Sequence, residues 1–317
     1  MLLDPSKPLG RLSRFLLSSV IVLGVVSTAG IATLNFYPGL ALLPMAGNLK
    51  YSPYCTIWQG VGDVGVKLGQ NETSENIRKQ SRVIQTEGHF KLWSTSKGNF
   101  WVPDNNDRIL GVLLAQQERN IYGDARTGGV RKNDIVLDGG AHIGTYVMAA
   151  IAAGAETIVA IEPSPDALWC LRKNFAKEIA AGKVIIYDKG IWDEEKSLVF
   201  FENGNGAAGD GFVTEGKGAR KITVPVTTID KIVAELNLPR VDIIKADIKG
   251  AGTRMIHGGQ ETIRKYHPRM VISVEEKPED PAAIRQAVLN IDGKYQFHSG
   301  PCMFSDGELR NDTIFFQ

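Results

Sequence analysis

The chain has 317 residues, of which 43% are hydrophobic and 22% charged. That is enough for one large folded domain with an appendage, and it excludes a disordered or low-complexity chain. Its 36 basic and 35 acidic residues leave a formal charge of +1, without a dense Lys/Arg run carrying interleaved aromatics, so no nucleic-acid partner is expected.

The first 14 residues carry Lys7, Arg11 and Arg14. Phe15 to Leu49 then contains no charged residue, and its first 20 residues, to Leu34, suffice to cross a hydrocarbon core of ~30 Å as a helix. Residues 15–36 therefore read as a transmembrane helix or signal anchor, with the basic N-terminus held on the cytoplasmic side. The expected localisation is a membrane, through a single-pass N-terminal anchor. A secretory signal peptide is the rival reading, because Ser27-Thr28-Ala29 offers small residues for cleavage. A single crossing would put the rest of the chain on the far side of the membrane. Opposite insertion, a helix lying in the interface, or a shallow hairpin of Tyr37–Met45 through Pro38-Gly39 would each avoid that.

Residues 37–72 read as a linker or membrane-proximal segment, with Asn48–Gly69 glycine-rich and irregular around Tyr51, Tyr54 and Trp58. Residues 73–132 read as an extension of helix and hairpin. Thr73–Ile84 is a short polar helix; Phe90–Trp93 and Asn99–Val102 flank a Ser-Thr-Ser-Lys-Gly turn; Ile109–Tyr122 is an amphipathic helix packing beside the core. Cys55, Cys170 and Cys302 are far apart and form neither a metal-ligand spacing nor an obvious disulfide framework. Cys170, amid apolar helical residues, belongs to the core.

From residue 133 to 317 strands and helices alternate, which implies a mostly parallel α/β sheet. Strands are expected at 134–138, 157–162, 183–188, 198–202, 221–226, 241–247, 269–275, 295–298 and 313–316. Helices are expected at 143–153, 166–181, 229–236, 252–258, 261–266 and 282–291, with Thr228 an N-cap. Asn203–Gly218 holds six glycines in 16 residues and reads as a mobile substrate loop or an exposed hairpin tip.

The chemistry concentrates at Asp134-Ile-Val-Leu-Asp-Gly-Gly-Ala-His-Ile-Gly144 and Ile158-Val-Ala-Ile-Glu162. A β-branched strand runs into a turn in which Gly139, Gly140 and Gly144 let backbone approach a ligand. The following helix start favours a negative group. Glu162, 24 residues after Asp138, is placed to accept from both hydroxyls of a ribose. A dinucleotide fingerprint wants glycine where Ala141 stands. Asp138, just before the turn, would repel a pyrophosphate and suits the cationic end of S-adenosylmethionine, so this donor is preferred over NAD. His142 lies in the same turn, within reach of the donor's methionine end or on the turn surface. Asp188 or Asp193 is placed to meet the adenine. Asp247 falls nearest the donated methyl, to orient an acceptor or take its proton, with Glu275 one strand over beside Glu276. No metal site is expected, and His257 and His298 read as solvated or core-edge residues.

At these residues the chain resembles the FkbM-type S-adenosylmethionine-dependent methyltransferases. The resemblance rests on Val136-Leu-Asp-Gly-Gly-Ala-His-Ile-Gly-Thr145, Ile161-Glu-Pro-Ser-Pro165 with Leu171-Arg-Lys-Asn174, Val224-Pro-Val-Thr-Thr-Ile-Asp230 and Val241-Asp-Ile-Ile-Lys-Ala-Asp-Ile-Lys-Gly250. It spans roughly Leu110 to the C-terminus. It implies a Rossmann-like class I methyltransferase fold with helices on both faces of the sheet, and Asp138, Gly140 and Glu162 in the cofactor site. It suggests an O-methyl product on a small molecule or glycan. The chain departs from the family at Lys249 and Gly252, where acids are expected. That motivates a second reading, a protein that binds the methyl donor without turnover. A third is an NAD-dependent oxidoreductase.

Overall fold

The computed structural model describes residues 50–104, 109–202, 210–213, 215, 219–274, 276, 280–305 and 308–317. The apolar segment 15–36, Glu275 and most of the glycine-rich stretch 203–218 lie outside them. No helix among the described residues is long and apolar enough to cross a membrane.

The N-terminal region is more regular than its composition suggests. After β1 (Lys50–Tyr51), α1 runs from Ile57 to Lys79. It starts at a capping box. The Thr56 hydroxyl accepts from the Gln59 N–H, and the Gln59 side chain accepts from the Thr56 N–H. This one helix replaces the irregular segment expected over 57–72 and the separate helix expected at 73–84; residues 37–49 of the expected linker lie outside the described residues. The glycines of α1 cost helix propensity, and one of them, Gly60, allows close packing. A Cβ on Gly60 would lie 2.6 Å from Leu309 Cδ1. Strands β2 (Arg82–Glu87), β3 (Phe90–Thr95) and β4 (Gly98–Pro103) form an antiparallel sheet around the expected hairpin. Helix α2 (Ile109–Glu118) crosses α1 where a Cβ on Gly111 would lie 3.0 Å from the Ser74 carbonyl.

The elements that follow are β5 (Ile135–Gly139), α3 (Thr145–Ala152), β6 (Thr157–Ile161), α4 (Pro165–Asn174), α5 (Ala176–Ala180), β7 (Val184–Tyr187), β8 (Gly190–Ile191), β9 (Lys196–Glu202), β10 (Arg220–Thr227), α6 (Ile229–Glu235), β11 (Ile243–Ala246), α7 (Gly252–His257), α8 (Gln260–Tyr266), β12 (Arg269–Ser273), α9 (Asp280–Ile291), β13 (Phe297–Ser299), β14 (Cys302–Ser305), β15 (Glu308–Asn311) and β16 (Thr313–Phe316). Seven strands make one mixed sheet in the order β13-β16-β12-β11-β5-β6-β7. The five from β12 to β7 are parallel, and β16 and β13 add antiparallel at one edge. Alternate side chains divide the core in two. Val136, Ile158 and Ile243 pack with residues of α2, α3 and α4. Ile135, Leu137, Val159 and Ile244 pack with residues of α6 to α9. Helices therefore cover both faces, and the central strands β5 and β11 are buried along their whole length.

Three expectations are corrected here. Strands β9 and β10 do not join the main sheet. They pair antiparallel beside β8, and alternate residues of β10 are exposed, as in a half-solvated ribbon. The helix expected over 166–181 breaks at Phe175, whose ring fills the space beside Gly144; a Cβ there would lie 2.1 Å from it. Cys55 and Cys302 form a disulfide with a Cα–Cα distance of 5.8 Å. Their separation of 247 residues hid the pairing, which arises because β1 lies parallel to β15. Cys170 is free and buried, as expected.

Candidate active site

Strands β5, β6 and β11 end side by side, and a cavity opens at their carboxyl ends. The turn after β5 forms its floor. Gly140 has φ 70°, and a Cβ on it would lie 2.1 Å from the Asp247 carbonyl oxygen, so only glycine fits. The Gly140 and Ala141 N–H groups donate to the Ile161 carbonyl. His142 has φ 50° and Gly144 φ 92°, which turns the chain sharply into α3.

Glu162 ties this turn to the end of β6. Its carboxylate accepts from the His142 N–H at 2.8 Å and the Ser164 N–H at 2.9 Å, while it lines the cavity. Burial pushes its carboxyl up to about 7, against the lowering effect of those two bonds. A carboxylate offers about four lone-pair sites, so acceptor capacity remains for a ligand. Burial likewise holds the His142 imidazole down at about 4, so it is neutral near pH 7, and neither ring nitrogen has a protein partner.

Asp138 is fully buried and does not line the cavity. Its register neighbour Lys245 does, donating to Asp138 Oδ1 at 2.9 Å and to the Gly140 carbonyl at 3.0 Å. Burial raises the Asp138 carboxyl and Lys245 opposes that shift. The ammonium lies 5.3 Å from the Tyr122 ring centroid and 5.5 Å from that of Tyr146. Asp247 accepts from the Tyr122 hydroxyl on Oδ2 at 3.1 Å and forms an ion pair through Oδ1 with Lys249 Nζ at 3.1 Å. Burial pushes its carboxyl up, but Lys249, Lys245 and the Tyr122 hydroxyl outweigh burial and hold it at about 2. Lys249 also lies 3.7 Å from Glu276. A side chain at Gly252 would meet Ile284 Cδ1 at 2.7 Å.

The structure thus brings Gly140, Ala141, His142, Glu162 and Asp247 to one cavity and sets Asp138, Gly139 and Gly144 behind or beside it. It does not bring Asp188 or Asp193 there. Asp188 is exposed beside Arg172, and Asp193 pairs with Arg254 at 2.6 Å. The chain turns between them, and Lys189, Gly190 and Ile191 line the cavity instead. Residue-by-residue reading missed Lys245, Tyr122, Tyr146 and Gln116. Lys245 was legible in principle, as a charge inside an apolar strand. Tyr122 and Gln116 arrive from outside the sheet and leave no such mark. No group of three or more His, Cys, Asp or Glu among the described residues could hold a metal ion.

Residues 138–297 match the methyltransferase FkbM domain. The chain belongs to the FkbM methyltransferase family. The methyltransferase FkbM of Methylobacillus flagellatus KT is similar to it at 16% identity and a TM-score of 0.47, over 81% of this chain and 60% of that one. Aeropyrum pernix fibrillarin, solved with natively bound S-adenosyl-L-methionine, is similar at 10% identity and a TM-score of 0.37, over 75% of this chain and 97% of that one. The Geobacter metallireducens precorrin-6y C5,15-methyltransferase is similar at 14% identity and a TM-score of 0.34, over 66% of this chain and 86% of that one. No curated protein sequence matches.

Proposed function

We propose that this FkbM-family protein is an S-adenosylmethionine-dependent O-methyltransferase acting on a small molecule or glycan. The observation that carries the reading is the cavity wall itself. Gln116 Oε1, His142 Nδ1 and Nε2 and the Tyr146 hydroxyl are buried there without protein partners, around a turn in which Gly140 admits no side chain. Buried polar groups of that kind require a ligand or water. The residues present fit the donor. Glu162 would accept from its ribose, and the Lys245 ammonium would meet its carboxylate. Asp138 no longer argues against a pyrophosphate, because Lys245 offsets its charge; family membership is what favours the methyl donor.

The donor, when bound, supplies an activated methyl on a sulfonium. The chain's own residues must then align an acceptor oxygen and exclude water. Asp247, pinned by Tyr122 and Lys249, is a weak base and orients the acceptor rather than taking its proton. The Lys249–Asp247 pair also supports the second reading, binding without turnover. Mass spectrometry of ligand retained by the purified protein tests the cofactor, and methyl transfer from labelled donor to hydroxylated acceptors tests turnover. A retained dinucleotide would overturn the proposal.

We further propose that the apolar segment 15–36 tethers the protein to a membrane with its folded domain on the oxidising side. The Cys55–Cys302 disulfide supports this, since such bonds persist outside reducing compartments. It agrees with the side on which Lys7, Arg11 and Arg14 would leave the domain. The donor must then be delivered by a transport step. Thiols trapped by acid quench and alkylation should number one before reduction and three after it. Three before reduction would remove this support.

A further inference from the structure

The tether reading leaves one face of α1 to be explained. Ile57–Leu68 contains only two charged residues, Asp63 and Lys67. Asp63 turns inward, where its carboxylate accepts from the Cys302 N–H at 2.8 Å. The inner side of the helix is fixed by Gly60 against Leu309 and by the disulfide at its start. Its outer side carries Trp58, 67% exposed, and Leu68, 50% exposed. Positions 58, 62, 65 and 68 share one face by helical spacing, and nothing stands within 4 Å of a Cβ built on Gly62 or Gly65. Beyond Gln70 the helix turns polar, with Glu72, Glu75, Arg78 and Lys79. The uncharged run Phe15–Leu49 ends only nine residues before Trp58.

We infer that the first half of α1 docks on the bilayer surface, with Trp58 and Leu68 in the headgroup boundary; this rests on the proposed tether. A bilayer is the occupant that fits. The 16 residues from Leu34 to Lys50 span at most roughly 55 Å even when extended, so the face stays near the membrane. An exposed tryptophan on an apolar helix is what the lipid–water interface retains. Lys67, on the opposite side of the same helix, lines the cavity, so the docked face and the cavity lie on different sides of α1.

The chain has five tryptophans, at positions 58, 93, 101, 169 and 192, and none before residue 50. Tryptophan quenching by lipid therefore reports the folded region and not the tether. The full chain is reconstituted in phosphatidylcholine vesicles with and without dibrominated acyl chains, and association is checked by flotation. Docking predicts partial quenching by the brominated lipid, its loss in Trp58→Phe, and its reduction in Leu68→Glu with flotation unchanged. Flotation without quenching overturns docking alone. Failure to float overturns the tether and docking with it. Absent quenching together with a dimer that Trp58→Phe dissociates would make the face a contact between two copies, which also overturns the inference.

Discussion

Lys245 Nζ lies 2.9 Å from Asp138 Oδ1, across two adjacent parallel strands at the mouth of the glycine turn. Both side chains are almost wholly withdrawn from water. The pair fixes the turn from below, because the same ammonium also binds the Gly140 carbonyl.

Removing one partner of a buried pair leaves an uncompensated charge. Lys245→Met should destabilise the protein by about 3–5 kcal/mol in urea unfolding. Adding Asp138→Asn should restore part of that loss, because the two sites are coupled. A single-mutant loss under about 1 kcal/mol, the range of an exposed pair, would show that the charges are not buried together.

Glu162→Ala removes the charged acceptor proposed for the donor's ribose, worth about 1.5–3 kcal/mol. Donor affinity by calorimetry should fall roughly 10- to 150-fold. Unchanged affinity would remove Glu162 from the cofactor site.

The same carboxyl gives the apo protein a pH signature. Its folded value of about 7 lies above the ordinary 4.5, so the folded state holds a proton that the unfolded state has lost. Stability from this group is greatest below 4.5 and falls as pH rises to about 7, by up to roughly 3 kcal/mol in all. Glu162→Gln should abolish that slope and raise apo stability at pH 8. His142 titrates in an overlapping window with the opposite sign, so the measured quantity is the difference between wild type and variant. Identical pH dependence in the two would refute the burial of Glu162.

Reducing the Cys55–Cys302 bond reopens a loop of 247 residues. On chain-entropy grounds the unfolded state gains about 5 kcal/mol. The urea midpoint should drop on adding reductant, and the Cys55→Ser/Cys302→Ser variant should be insensitive to reductant. Equal midpoints with and without reductant in the wild type would show the bond to be absent.

By itself the sequence determined the parallel core, the glycine turn and the acid after β6. Those are local signals: a β-branched run buried on both faces, glycines where side chains cannot fit, and an acid at a fixed spacing. Thr228 as an N-cap was legible for the same reason; its hydroxyl accepts from the Lys231 N–H. Only the tertiary structure decided that Asp138 faces Lys245 rather than the cavity, since pairing register is not written in either strand alone. It also decided that Tyr122 reaches Asp247 across 125 residues and that Cys55 meets Cys302 across 247. The glycine-rich start of α1 looked irregular because intrinsic propensity disfavours a helix there. Close packing against Leu309 and the capping box at Thr56 outweigh that preference, and both depend on what the folded chain places beside the segment.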